Sequence, residues 1–492
     1  MSSFPRVCSQ RTPEATNHHN PLVSSFLLAK ENLIAVAVCP PPSAASFADF
    51  RVLNSNVRLL LIQKMRGVLS SFLFHGKCLQ HTVSSRSLLP IFIPKIYIKT
   101  EQNGYLKELV STANQNRFAT KLAHHLLLSE KFHERNLVFS PFSTHVVLGI
   151  IASGSKRQTE VNGLMDFLET NTSLLSHLHS EIIPWISNDG SERGGPRLCY
   201  GNGMWVEKTI SLKPSFQELL SLVYKPTYEQ VDFQNETDVI TERVNLWAKK
   251  QTHGIIRKLL DNAPEDITWL FFTNVIYFRG RWMKSFKPSR TRISNFHLFY
   301  GKKVKVAYMT SGEDQLVSQF DDFKVLGLPY LQGGDIRDFT MYLFLPNTKI
   351  GLKQLVRKIS STPNFFDIYL PHRKVEVGRF MVPKFKISST IKVNHMLEDL
   401  GIALPPMTEM VLERKTLNSQ RIEEADIFQK CSIEVNEEGA EAAVSTAFEG
   451  TGCPDYGRYK VDFVADHPFM FVIRENVSGV ILFLGHVINP RK

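Results

Sequence analysis

From Cys431 to Val435 apolar and polar side chains alternate with the period of a half-buried strand, and Asn436-Glu437-Glu438-Gly439 then predicts a turn out of the sheet. Beyond that turn there is no helical period, and Gly450, Gly452, Pro454 and Gly457 mark irregular chain. The alternation nevertheless persists. Positions 440, 442, 444, 446, 448 and 450 are Ala, Ala, Val, Thr, Phe and Gly, and the positions between them carry Glu, Ala, Ser, Ala, Glu and Thr. A loop that stays in water has no need of two faces, whereas a segment that slides into a sheet needs one for the core and one for solvent. Small residues at its leading end ease insertion, and Pro454 stops the pattern because proline cannot donate to a ladder. Taken alone, the same stretch reads equally well as a low-complexity Ala/Glu loop whose alternation is accidental.

Residues 463 to 490, FVADHPFMFVIRENVSGVILFLGHVINP, read as two apolar strands joined near Asn476 to Gly479. Together with EVNEEGAEAA, this wording resembles the serpin family, in particular its plant branch. The resemblance runs in family order through NLVFSPFSTHVVLGIIASGS (136 to 155), VNLWAKKQTHGII (244 to 256), FFTNVIYFRGRW (271 to 282), FKVLGLPY (323 to 330), MYLFLP (341 to 346) and FMVPKFKI (380 to 387). It covers residues 106 to 492 and implies an α+β fold: three β-sheets, surrounding helices and an exposed reactive centre loop at about 439 to 461. The family's established mechanism is suicide inhibition. A serine or papain-like cysteine protease cleaves the loop and is trapped as the freed arm joins the central sheet.

The resemblance also implies roles residue by residue. The hinge falls on Glu437, Glu438, Gly439, Ala440, Glu441, Ala442 and Ala443. Ser140, Ser143 and Asn274 match the polar cluster beneath the moving strands, and Trp282 matches the aromatic at the insertion point. Lys384 and Glu437 match a pair that steadies the top of the sheet, expected here to be exposed and worth about 1 kcal/mol or less. Gln429 stands where the family usually has a histidine, and Ala440 where it has Thr or Ser. Val444 and Phe448 are bulkier than the residues common in plant relatives. Family spacing from Gly439 places the reactive bond at Cys453-Pro454, with Gly452-Cys453 as the alternative. Proline's fixed ring suits the leaving side of a protease poorly. Cleavage at Arg458 instead would add roughly 17 Å of slack to the tether. The competing reading is therefore a non-inhibitory serpin-fold protein whose loop is only a protease substrate.

Composition frames these expectations. A chain of 492 residues with 43% hydrophobic content can bury a large core. Residues 1 to 105 carry no family motif and read as an N-terminal extension, disordered or targeting-like, ahead of a domain at 106 to 492. The first hundred residues hold 11 Lys and Arg against 3 Asp and Glu, and Met65 to Thr100 has no acidic residue, as organelle transit sequences do. The compartment stays open between extracellular space, cytoplasm and such targeting. The run Arg279 to Gly312 holds nine Lys and Arg and no carboxylate. It is either a solvated sheet face or, over 279 to 305, a site for an acidic partner.

Six scattered cysteines show no CxxC pair, and Cys199 and Cys431 are expected in the core. No GxSxG, HExxH, GxxxxGK[ST] or complete GxGxxG occurs, and His124-His125 and His177/His179 fit solvated helices better than a metal site. No catalytic residue, cofactor or metal is expected. The expected partner is the target protease, with no membrane span, and the chain is expected to be a monomer.

Overall fold

The computed structural model describes residues 27–29, 32–34 and 102–492, apart from 234, 262–268, 408–409, 411–424 and 440–459. The chain falls into two units, Met1–Pro90 and Ile91–Lys492. In the first, the described part is the short hairpin Leu27–Ala29 with Asn32–Ile34. The second holds three sheets. The central one has five strands in the order Phe385–Lys392, Asp426–Val435, Leu270–Arg279, Arg197–Glu207 and Thr227–Val231. A seven-stranded sheet is ordered Lys374–Val375, Gln315–Gln319, Phe323–Pro329, Phe339–Pro346, Phe469–Glu475, Ile481–Val487 and Leu137–Phe139. A four-stranded sheet is ordered Val461–Val464, Val377–Pro383, Lys303–Met309 and Arg292–His297.

The expected strand pair in the last thirty residues is present, Phe469–Glu475 against Ile481–Val487 in antiparallel register. Phe463, expected at the head of that run, belongs instead to a separate strand that pairs in parallel with Val377–Pro383. Asp466, His467 and Pro468 break the chain between them, and proline has no N–H for a continuous ladder.

Leu270–Arg279 is apolar on both faces because both faces are covered. Leu270, Phe272, Ile276 and Phe278 belong to the main core with Phe142, Val146, Phe344 and Phe471. Phe271 and Val275 join a smaller core with Trp205, Phe233, Ile240 and Trp247, the last two on the helix Thr237–Gln251. The helix Pro141–Gly154 lies under the sheet on the main-core side and is buried along most of its length. Its start is written in the sequence: Ser140 is the N-cap, its side chain accepts from Ser143 N at 3.1 Å, and Pro141 follows at the first helical position.

Candidate functional site

On the main-core side, the strands at the centre of the sheet present Leu270, Phe272, Asn274, Ile276 and Phe278 beside Ile427, Gln429, Cys431, Ile433 and Val435. Asn274 and Gln429 interrupt two apolar rows, and parallel register sets them opposite each other. Asn202 stands opposite Asn274 on the next strand, so three amides form one line across the sheet. Each is buried.

Buried amides cost free energy unless paired. Gln429 is fully satisfied. Its Oε1 accepts from Ser140 N at 2.9 Å, while its Nε2 donates to Ser140 O at 3.0 Å and Thr144 Oγ1 at 2.9 Å. One side chain thus bolts the strand Asp426–Val435 to the start of the helix below. Asn274 Nδ2 donates to Asn202 Oδ1 at 2.8 Å, and Asn202 passes the chain to Tyr200 Oη at 2.7 Å. Asn274 Oδ1 and Ser143 Oγ, also buried, have no hydrogen-bond partner among the described residues. The sequence reading named Ser140, Ser143, Asn274 and Gln429 but missed Thr144, Asn202 and Tyr200. The signal for Asn202 was a polar residue at a core-parity position of a strand, masked by its resemblance to a broken glycine motif.

The seam between Leu270–Arg279 and Asp426–Val435 is parallel and pairs from Phe271/Asp426 to Tyr277/Ser432. It then stops, although both strands continue. Ile433 to Val435 stay paired outward to Phe385–Ile387, and Phe278 and Arg279 to Leu198 and Arg197. The sheet is therefore unzipped at this one end, and the turn Asn436 to Gly439 emerges there.

That turn is held by a strap. Asn436 O accepts from Trp282 Nε1 at 2.9 Å, Glu437 O from Phe286 N at 2.8 Å, and Glu438 O from Trp282 N at 3.0 Å. Trp282 is itself fixed by stacking on Tyr330, with centroids 4.5 Å apart. Gly439 has φ +81°, and a Cβ there would collide with Gly280 O and Trp282 N, so only glycine lets the turn lie this close to the strap. Glu437 is bound by Lys384 Nζ at 2.6 Å and Thr291 Oγ1 at 2.8 Å. Burial pushes its carboxyl up, but Lys384 and Thr291 together outweigh burial and hold it below the usual glutamate range. The expected exposed ion pair is corrected here. Glu437 is only 8% exposed, while the side chain of Lys384 is 38% exposed, so the pair is covered at its carboxylate end and meets water at its ammonium end. Thr291 and Tyr330 were not foreseen.

Cys199 and Cys431 are buried, as expected, and burial pushes the Cys199 thiol up to about 11. Ala440 to Ala443, Gly452, Cys453 and Pro454 lie outside the described residues. Among the described residues no group of His, Cys, Asp and Glu could hold a metal ion, and no helix is long and apolar enough to cross a membrane.

Residues 113–490 match the family model described as Serpin (serine protease inhibitor). The chain belongs to the serpin family. It is 42% identical to Serpin-ZX of Arabidopsis thaliana over 391 residues, covering 77% of this chain and 98% of that protein. It is 38% identical to Serpin-Z4 of Hordeum vulgare, covering 77% and 96%. Among solved structures it is similar to Arabidopsis AtSerpin1 in its native stressed conformation, with a TM-score of 0.70 and 40% identity over 78% of this chain and 98% of that one. The serpin fold, with helices around three sheets, and the plant serpin relationship expected from the sequence are both met. The family is one of protease inhibitors, so no enzymatic activity is expected of this serpin.

Proposed function

We propose that this serpin is a suicide-type inhibitor that traps a serine or papain-like cysteine protease by inserting its reactive loop into the central sheet. The observation that carries the reading is the unzipped end of the seam, with the hinge turn beside it. A segment folding back after Gly439 would run antiparallel to Asp426–Val435. Because Leu270–Arg279 runs parallel to that strand, the segment would be antiparallel to both neighbours. Insertion would replace one parallel ladder by two antiparallel ones, the more stable pairing per residue, and give solvated backbone new ladder partners. The alternation at 440 to 450 supplies the two faces. Asn274 Oδ1 and Ser143 Oγ, buried without a partner among the described residues, are acceptor groups that a rearranged seam would be able to pair.

An arm of about 14 residues at about 3.3 Å each would carry an acyl-bound protease on the order of 45 Å. Pressing it against the far pole would distort its oxyanion hole before deacylation. The substrate-only reading rests on Cys453-Pro454, since proline disfavours the bond at the proper tether length, on Gln429 in place of the family's histidine, and on the N-terminal extension without family motifs. The test is to mix the full chain with a panel of serine and papain-like proteases and look for SDS-stable covalent complexes. At least one protease accepting a small residue before the bond should form one. Loop cleavage by every member without any complex would replace this reading with the substrate-only one.

A further inference from the structure

Trp282, Phe286 and Thr291 strap the hinge, but the rest of the basic run from Lys287 to Gly312 takes no part in the seam. It builds the edge hairpin of the four-stranded sheet, Arg292–His297 against Lys303–Met309. Phe296, Val306 and Tyr308 fill the buried row. The opposite row carries Lys303 and Lys305, both exposed, with Ile293 across from Ala307. Lys287, Arg290, Arg292, Lys302, Lys303 and Lys305 are all exposed, and none forms an ion pair with a described residue, whereas Lys284 pairs with Glu313 at 2.6 Å. Charges on an edge strand discourage unwanted pairing, but one or two are enough for that. Six exposed cations with no ionic partner among the described residues repel one another, a cost that a complementary anion would remove.

Two further observations point to a folded partner rather than a linear polyanion. Ile293 and Tyr300 stand among the cations at 75% and 79% exposure. Tyr300 also has φ +63°, a strained conformation for an aromatic residue, which holds its ring at the tip of the turn. Apolar and aromatic anchors inside a charged rim are the make-up of protein interfaces. The hairpin is also close to where a protease would be held. Thr291 bonds Glu437 at one end of residues 440–459, and Val461–Val464, which follows their other end, is a strand of the same sheet. Three strand spacings, about 14 Å, separate that strand from the basic edge. A partner burying about 800 Å² at the loop would reach across it.

We propose that this hairpin is a second docking surface for the target protease, selecting enzymes with an acidic face and speeding their capture. The inference rests on the inhibitor reading, but its readout is separate. The probes are anionic and cationic trypsin whose active-site serine is already blocked, so that encounter is measured without cleavage or trapping. At about 20 mM salt the full chain should bind blocked anionic trypsin at least tenfold more tightly than the cationic form, with the preference shrinking at 150 mM. The triple variant Lys302→Glu, Lys303→Glu, Lys305→Glu should lose that preference and keep its melting temperature. Tyr300→Gly, which relieves strain, should weaken binding severalfold without changing its salt dependence, and unchanged affinity would overturn the anchoring role of the ring. Equal binding of both trypsins, or a triple variant that still discriminates, overturns the docking surface. So does binding of dextran sulfate that depends on these lysines while neither trypsin is distinguished. Failure of active proteases to form covalent complexes would break the inhibitor reading and leave this binding result standing.

Discussion

The two ends of the seam between Leu270–Arg279 and Asp426–Val435 differ in what holds them. At the Asp426 end the ladder is closed and Gln429 makes three short hydrogen bonds to Ser140 and Thr144, tying strand to helix. At the Val435 end the ladder is open, and the chain is held from outside by Trp282, Phe286, Thr291 and Lys384. A buried side chain with each of its polar groups satisfied, as Gln429 has, resists separation, because each bond broken leaves a desolvated partner. Strap bonds to three backbone carbonyls at the open end can be exchanged for ladder bonds one at a time. The contrast teaches where a new strand would start and what it would have to displace last.

The largest way to break this contrast acts on the open end. Ala440→Arg should leave the uncut protein folded, with its melting temperature within about 2 °C, yet abolish covalent complexes and turn inhibition into plain turnover, since a charge would have to be buried for insertion to begin. Gel assays of complex against cleaved product read this directly, and undiminished complex formation would sink the hinge assignment.

Replacing Cys453-Pro454 by Arg-Ser changes the bait and leaves both ends of the seam alone. The double variant should trap trypsin as an SDS-stable complex. If it is cut after position 453 and no complex forms, the defect lies in the seam itself, at Gln429, Val444 or Phe448.

The closed end is probed by Gln429→Ala, which takes the side-chain acceptor from buried Ser140 N, while Ser140 O keeps Thr144 N and Oγ1 as donors. A loss of about 1–3 kcal/mol is expected in denaturant unfolding. A loss under about 1 kcal/mol would show that the amide is not the bolt described.

Acid sharpens the comparison further. His145 and His486 are buried, and burial lowers each from 6.5 to about 4, with one backbone carbonyl accepting from each ring and Nδ1 left without a partner among the described residues. The unfolded chain binds these protons first, so stability is full above about 6.5 and falls as pH drops toward 4, by at most about 3 kcal/mol per histidine. Glu437 works in a lower window. Its depressed carboxyl stabilises the fold above the ordinary glutamate value and loses that contribution as pH falls through its own lowered one. Gln429 does not titrate, so its hydrogen bonds to Ser140 and Thr144 add no slope of their own. Melting temperature followed from pH 7.5 to 4.5 should fall in the native chain, and the combined substitution His145→Gln and His486→Gln should flatten that fall.

Much of this arrangement was readable from the chain. The hinge glycine and the strand before it follow from local pattern, and Ser140, Asn274 and Gln429 were named through the family motifs that match in order. What was not readable depends on register between distant strands. Asn202 gains meaning only when antiparallel pairing sets it opposite Asn274, 72 residues away. The setting of Glu437 depends on Thr291, 146 residues before it, and on Lys384, also far upstream in the chain, and no local period announces that meeting.

The most direct measurement compares the melting temperature of the intact chain with that of a chain nicked once between Gly450 and Arg458. Insertion of residues 440 to 451 as a new central strand should raise the midpoint sharply, by more than about 10 °C, with the two fragments still associated. A nicked chain that melts where the intact one does would contradict the account of an open seam waiting for its strand.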